Sequence, residues 1–522
     1  MIPTIALLVL LAAQGGSAVE SPRVVNDRWP SNYDAKSWAA DVFRLENATT
    51  DEEKTLALYK WVRLLQHWGE QCGDGTRGKQ MIECDAIKKI NIFPYGECSD
   101  FGVTSAALGH AGGLRAKEAH VPGHVELEVL YKDRDGVERS HRLDPFWGVA
   151  VYDRTASRLA TWEELRDDPQ LAMKPSKTLL PWGDKTSDRE RFAEKGACKP
   201  ELRVRPSAFT MDKSLVRGET YSLRWERDGN VAFYNSHPNP DYRGAQEWGG
   251  FQRFQYANGK PENLKYGHEL LRPHVEVGKH GVQVMIGHGR LAFEPVLGSG
   301  FEGSLHEPSM NIALGGAGEA KLRPARAGEA ATLVYALRSP YVLADSRFVG
   351  TFRAGKGDSV KVSVAFADWM ERDYTLDQTL PAKPAWISVW ESKGDGPQEM
   401  NLDTASLPLR GEYQYLVKVE LLAGSDVRKV GIESLSIVHL FQQNQIALPR
   451  LLPGKNTITV SAGAIRPGHQ LKVTYRWDDA KGRDREDVKR IERVPFSYEV
   501  LAAGEAPADV QTRSLTLEAV AK

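Results

Sequence analysis

Cysteine is scarce in this chain. Four of 522 residues are cysteine, Cys72, Cys84, Cys98 and Cys198, too few to staple a disulfide-built scaffold, so a hydrophobic core has to hold the fold. None stands in a CxxC pair, and there is no paired CxxC/HxxxH arrangement, so no spacing here resembles a zinc site. No calcium-loop pattern occurs either, so the expectation is no metal and no cofactor. Surplus charge is missing too: 68 Lys and Arg against 69 Asp and Glu leave a formal net charge of −1, which gives no general attraction to nucleic acid or to an acidic membrane. Apolar runs are short. The first, Ile5 to Ala13 in MIPTIALLVLLAAQGGSAVE, cannot span a bilayer and is followed by small residues, so residues 1–18 are expected to be a secretory signal peptide, cleaved at Ala18. No later run reaches membrane length. The expected product is an exported protein, periplasmic or secreted, without an integral membrane span. Such a compartment allows a disulfide, and Cys72 and Cys84, bracketing CGDGTRGKQMIEC, are the expected loop clasp, with Cys198 the alternative partner.

The length suggests three or four folding units. Thr50 to about Gly69 reads as an amphipathic helix, with Thr50 as N-cap, Glu53 as its capping-box partner and Leu56, Leu58, Tyr59, Val62, Leu64 and Leu65 at helical spacing. A second helix is expected from Cys98 to His110, stopped by Gly112 and Gly113. Two strands follow, about 124–132 and 137–143, joined by the turn sequence DRDG. Thr161 to Met173 predicts a short helix. Beyond Lys199 the chain breaks into alternating runs such as GVQVMIGHGRLAFEP, SVKVSVAFADW and QLKVTYRWDD, the pattern of antiparallel sandwiches. The Gly, Ala and Pro-rich run Gly315 to Ala330 is the expected internal boundary. The predicted organisation is a mixed α+β domain over 21–200, β-sandwich domains over 201–322 and 323–505, and a flexible tail over 506–522.

Three residues stand out for their settings. Cys98 opens a helix, where unpaired N–H groups favour thiolate and its own amide can face a developing oxyanion. If the hairpin turns near Arg134 and Asp135, paired residue numbers sum to 268 or 269, which sets His124 opposite position 144 or 145. His124 and Asp144 then share a sheet face, close enough for the carboxylate to fix the imidazole and for the imidazole to act as base and then acid. Other histidines compete: His110 late in the helix, His120 ahead of the strand, and His141, expected opposite Leu127.

In order and setting these residues resemble the transglutaminase-like superfamily, whose pattern is a helix opening on G-x-C, a G-L-x-A segment leading into a strand, an H-x-x-x-E-V strand and a later L-D-P. Here they are YGECSDFG around Cys98, Gly113-Leu114-Arg115-Ala116, His124 with Glu128-Val129, and Leu143-Asp144-Pro145 within HRLDPFWG. The likeness spans about residues 50 to 170. It implies a papain-type N-terminal domain with Cys98, His124 and Asp144 as its catalytic triad. It also implies a second oxyanion donor ahead of the cysteine helix, for which Gln66, Trp68 and Tyr95 are candidates; helix packing suits Trp68, and a solvent-facing helix position suits Gln66. The superfamily includes cross-linking enzymes, peptidases, glycan-removing amidases and inactive members. Two departures bear on the cleft: the interval from Cys98 to His124 is short, and Val125 stands where the family often has Ala followed by Trp.

The expected activity is that of a thiol hydrolase or acyltransferase acting on an amide bond of a peptide, peptidoglycan stem or glycoprotein. Two readings compete with it. One is a polysaccharide-active enzyme that uses His124 and Asp144 as acid and base, and the other is a glycan-binding protein on an inactive scaffold. Trp225, Tyr234, Trp248, Phe251, Phe254 and Tyr256 cluster in one segment, which suits either sandwich core or sugar stacking. Asn47-Ala48-Thr49 matches a glycosylation sequon.

Overall fold

The structure, a computed structural model, describes residues 17–522 apart from 69–72, 75–80, 83–84, 178–185, 197, 226–229, 236–249, 258–259, 262–285, 373–374 and 404–405. Strand outweighs helix, and among the described residues pairing is antiparallel except between His67–Trp68 and Tyr95–Gly96.

Four helices gather in the N-terminal part. Helix α1 (Ala35–Leu45) begins at Asp34, whose carboxylate accepts from the Ser37 amide at 2.8 Å. Helix α2 (Asp51–Leu65) begins on the expected box: Thr50 Oγ1 accepts from Glu53 N at 3.2 Å, and Glu53 Oε2 accepts from Thr50 N at 2.9 Å. Helix α3 (Ala86–Asn91) is capped by Asp85, which accepts from Ile87 N at 2.8 Å. Helix α4 (Cys98–Ala111) is buried from Asp100 to Gly109. It packs on a sheet whose middle strands are β1 (Arg115–Val121), β2 (His124–Lys132) and β3 (Glu138–Asp144), with Glu201–Arg203 beside β1 and Val149–Ala150 beside β3.

Small residues let that helix approach the sheet. A Cβ on Gly102 would stand 2.6 Å from Val125 Cγ1, and one on Gly109 would stand 2.7 Å from Ala116 Cβ. Val125, one of the departures from the family pattern, is therefore the residue that fills the space above Gly102. Gly102→Ala is expected to cost about 1–3 kcal/mol of stability through overpacking, read as a lower urea midpoint at unchanged slope. An unchanged midpoint would show that the helix can shift at no cost.

The single helix expected over Thr161–Met173 is two, Trp162–Asp167 and Gln170–Met173. Pro169 lacks an N–H and disfavours helical geometry at Asp168, so the first helix stops there.

From Leu215 onward the described residues form mainly antiparallel strands, as expected, but the divisions differ from those read in the sequence. The long strand Gly431–Asn444 pairs with Ile286–Phe293 on one side and Leu343–Ala354 on the other, so one sheet crosses from the span 201–322 into the span 323–505. The expected boundary run is a hairpin on that sheet: Ile312–Leu314 pairs with Leu322–Pro324, and Leu322 pairs with Ile432. Gly318 and Gly328 are turn residues and Pro324 lies in a paired strand, so the run is not a linker. The segment 506–522 is not a flexible tail. Gln511–Ala521 lies between Glu219–Arg224 and His469–Asp478, and Leu515, Leu517 and Ala519 alternate into the core. The start of the described chain joins the same region: Ser17–Glu20 pairs with Leu215–Val216 and Ala464–Ile465, and Arg23–Asn26 pairs with Gly454–Ser461. Residues 1–16 of the expected signal peptide lie outside the described residues, while Ser17 and Ala18 begin this strand.

The two parts are tied by buried amides. Asn444 Nδ2 donates to the carbonyls of Leu65 at 3.0 Å and Ile90 at 2.7 Å, and Gln442 Nε2 donates to that of Ile92 at 2.9 Å. These carbonyls end α2 and α3, where the helix supplies no partner. No helix among the described residues is long and apolar enough to cross a membrane.

Candidate active site

The turn that presents Cys98 is folded around a buried carboxylate. Asp100 Oδ2 accepts from the Glu97 amide at 2.8 Å, and Asp100 Oδ1 pairs with Lys89 Nζ at 2.6 Å, with the two side chains 2% and 0% exposed. A Cβ on Gly96 would lie 2.4 Å from the Asp100 side chain, so the chain passes there only as glycine. Asp100→Ala breaks a buried ion pair with Lys89 and is expected to cost about 3–5 kcal/mol. Urea unfolding measures this, and a loss under about 1 kcal/mol would mean that the pair is not holding the turn.

Cys98 is the first residue of α4, half-buried and free; its amide belongs to the first turn, whose N–H groups have no helical partner. His124, 5% exposed, opens β2, and Asp144, 0% exposed, closes β3. The imidazole Nε2 meets Asp144 Oδ2 at 2.5 Å, and Cys98 stands close enough to the ring to raise its pKa. Asp144 Oδ1 accepts from the Trp147 amide at 2.9 Å. Carboxylate and imidazole are thus hydrogen-bonded, with the thiol beside them. Burial pushes the His124 imidazolium toward losing its proton, but Asp144 and then Cys98 outweigh it and raise its pKa to about 10.

The register that produces this differs from the expected one. Observed pairs run from Leu127 with Leu143 to Lys132 with Glu138, a sum of 270, so one further step sets Asp144 opposite Glu126 and leaves His124 diagonal to it. The turn is longer than DRDG alone suggests: Asp133 N donates to Val137 O at 3.0 Å, with Gly136 at φ +80°. Diagonal neighbours on one face remain within reach of long side chains. His141 accordingly pairs with Val129, not Leu127. It is buried, with its Nε2 3.2 Å from Asp133 and its ring stacked on Tyr131. His120 meets Glu118 at 2.8 Å, and His110 is exposed.

Gln66 does not face solvent. It is 1% exposed, its Nε2 donates to Thr104 Oγ1 at 3.1 Å, and its Oε1 has no hydrogen-bond partner. Burial follows from its position as C-cap of α2, where the chain turns under α4. Trp68 and Tyr95 come together through the backbone, since His67–Trp68 pairs in parallel with Tyr95–Gly96 just ahead of Cys98; their side chains lie outside the described residues. The expected Cys72 and Cys84 clasp lies outside them as well, and Cys198 is a free thiol. In the aromatic segment, Trp225 packs against the core. Trp248 lies outside the described residues, as do the side chains of Tyr234, Phe251, Phe254 and Tyr256, whose backbone forms the pair Asn230–Asn235 with Gly250–Ala257.

Sequence reasoning missed several contributors. Trp147 stacks on His124 with ring centroids 3.7 Å apart and planes 10° from parallel. Arg63 donates to the carbonyls of Pro145 at 2.8 Å and Phe146 at 2.7 Å, fixing the turn after Asp144. The signal for Trp147 was in plain sight, three residues beyond Asp144 in HRLDPFWG. Arg63 gave none, because a cation on an amphipathic helix reads as surface. Glu126 was also passed over. Donor atoms of His124, Glu126 and Asp144 lie within 4.8 Å of one another, yet His124 Nε2 is engaged by Asp144 and Glu126 Oε2 accepts from Arg142 Nε at 2.8 Å. A guanidinium beside the carboxylate opposes a cation there, so the cluster reads as a proton-sharing network.

No protein-family profile matches the chain, and no curated protein sequence matches it. Solved structures give faint likenesses. One is an FMN-binding beta-glucuronidase from Facaelibacterium prausnitzii L2-6, at 11% identity over 38% of this chain and 28% of that one, with a TM-score of 0.12. Another is the pilus backbone from Streptococcus pneumoniae, at 9% identity over 38% of this chain and 74% of that one, with a TM-score of 0.09. The chain therefore spans well under a third of the glucuronidase. At such TM-scores these likenesses carry no argument about this chain's fold or activity.

Proposed function

We propose that this protein is an exported thiol hydrolase or acyltransferase of transglutaminase-like type, acting on an amide bond of a peptide, peptidoglycan stem or glycoprotein. One observation carries the reading: Cys98, His124 and Asp144 are brought together, with the imidazole hydrogen-bonded to the carboxylate and acted on by the sulfur at the start of a helix. The resemblance in YGECSDFG, HVELEV and HRLDPFWG supports the family, and the apolar run Ile5 to Ala13 supports export.

In this reading the Cys98 thiolate attacks the amide carbonyl carbon, forming the C–S bond while the carbonyl oxygen takes up negative charge near the Cys98 amide. His124 gives its Nδ1 proton to the nitrogen as the C–N bond breaks, and the amine leaves. Neutral His124 then takes a proton from water or from an acceptor amine, which attacks the thioester and releases Cys98 as thiolate. Asp144 keeps the ring oriented and holds the imidazolium charge throughout. The test is a panel of peptide, peptidoglycan and polysaccharide substrates turned over by wild type and Cys98→Ala in parallel. Cleavage or transfer at an amide, lost with the sulfur, is the expected result; turnover of polysaccharide that survives without the sulfur would defeat the proposal.

A further inference from the structure

Glu126 stands two residues from His124 on the same face of β2, opposite Asp144 when the observed register is continued by one step. It is 0% exposed, its Oε2 accepts from Arg142 Nε at 2.8 Å, and its Oε1 has no hydrogen-bond partner among the described residues. Arg142, itself 1% exposed, is anchored from behind: its NH1 reaches Lys195 O at 3.4 Å and its guanidinium lies 5.7 Å from the Trp162 ring centre. A second carboxylate has thus been built into the dry side of the site, with one oxygen balanced and the other bare. Cross-strand neighbours in such surroundings feel each other's charge strongly.

We propose that Glu126 is a positioning residue for the Cys98–His124 pair: by gaining or losing its proton beside Asp144, it sets how firmly the imidazolium is held. This rests on the thiol-site reading given above. The bare Oε1 is the atom that takes the proton. Burial lifts the Glu126 carboxyl to about 7 in spite of Arg142, which brings the change of charge into the neutral range. Below it the imidazolium faces Asp144 alone; above it, two carboxylates. The charged groups around the ring are Cys98 from α4, Glu126 from β2, and Asp144 and Arg142 from β3, with Arg63 of α2 acting on Asp144.

The experiment uses the full chain and two readouts. The rate at which iodoacetamide labels Cys98 is followed against pH in wild type and Glu126→Gln, and histidine-ring NMR of wild type follows His124 directly. Glu126→Gln should lower the alkaline limb of labelling by about one pH unit and remove an inflection near neutrality that wild type shows. A limb that stays in place overturns the proposal. If the variant does not fold, wild-type NMR decides: the His124 shifts should move with a second midpoint near neutrality, and flat shifts between about pH 6 and 8 overturn it. Labelling of wild-type Cys98 no faster than that of a free thiol would defeat the thiol-enzyme reading instead, while the NMR titration would still judge Glu126.

Discussion

Replacing Cys98 with alanine should lower turnover at least about 10⁴-fold and leave the fold standing. The sulfur is half-buried at the first position of α4, and the turn beneath it is held by Asp100, Lys89 and Gly96 rather than by the thiol, so the change in stability should stay within about 1 kcal/mol. The same substitution should abolish labelling by iodoacetamide at mildly acidic pH. An ordinary thiol, with a pKa of about 8.5, is almost wholly protonated there and reacts slowly; a thiolate paired with an imidazolium reacts at once. If wild-type Cys98 reacts no faster than a free thiol, His124 and Asp144 are not activating it.

Asp144→Asn should produce the second large effect, in pH dependence as well as in rate. His124 is raised from its ordinary value to about 10 because Asp144 and Cys98 outweigh the burial that opposes its charge. The direction follows from linkage: a raised pKa adds stability in full below the ordinary value of about 6.5, and this is lost as pH rises through about 10. The imidazolium of His124 therefore survives well above neutrality, and the alkaline limb of activity is expected near that higher value. Asparagine removes the anion, and its amide can turn an N–H toward the ring, favouring the wrong tautomer. The rate should fall by about 10³–10⁴-fold, and the alkaline limb should move toward about 6.5. A pH–rate profile of labelling or turnover checks both. A limb still near pH 10 in the variant would mean that another group holds the proton.

The residues of the site were legible because each marks an edge. Cys98 follows glycine and opens a helix, and His124 and Asp144 begin and end strands whose alternation points them to one face. The register was read one to two residues short, since Gly136 in its left-handed conformation lengthens the turn in a way that DRDG alone does not reveal. Gln66 was misplaced because helical periodicity says nothing about what covers a helix end. Helix α1 was passed over although Asp34 and the spacing of Trp38, Ala39, Val42 and Phe43 announce it. The C-terminal divisions failed for a different reason. Gly, Pro and Ala content between Gly315 and Ala330, and again near the end of the chain, looks like a linker or a loose tail, whereas strand partners more than 100 residues away decide the outcome.

Gln442 and Asn444 reach from the far sheet to satisfy the last carbonyls of α2 and α3. The thiol-bearing portion is accordingly no portable cassette: cut free at its apparent end, it would expose those oxygens and lose the ceiling over its helices. The β-rich remainder is part of the housing around Cys98, His124 and Asp144, and an engineer would have to graft the whole assembly or supply a substitute roof.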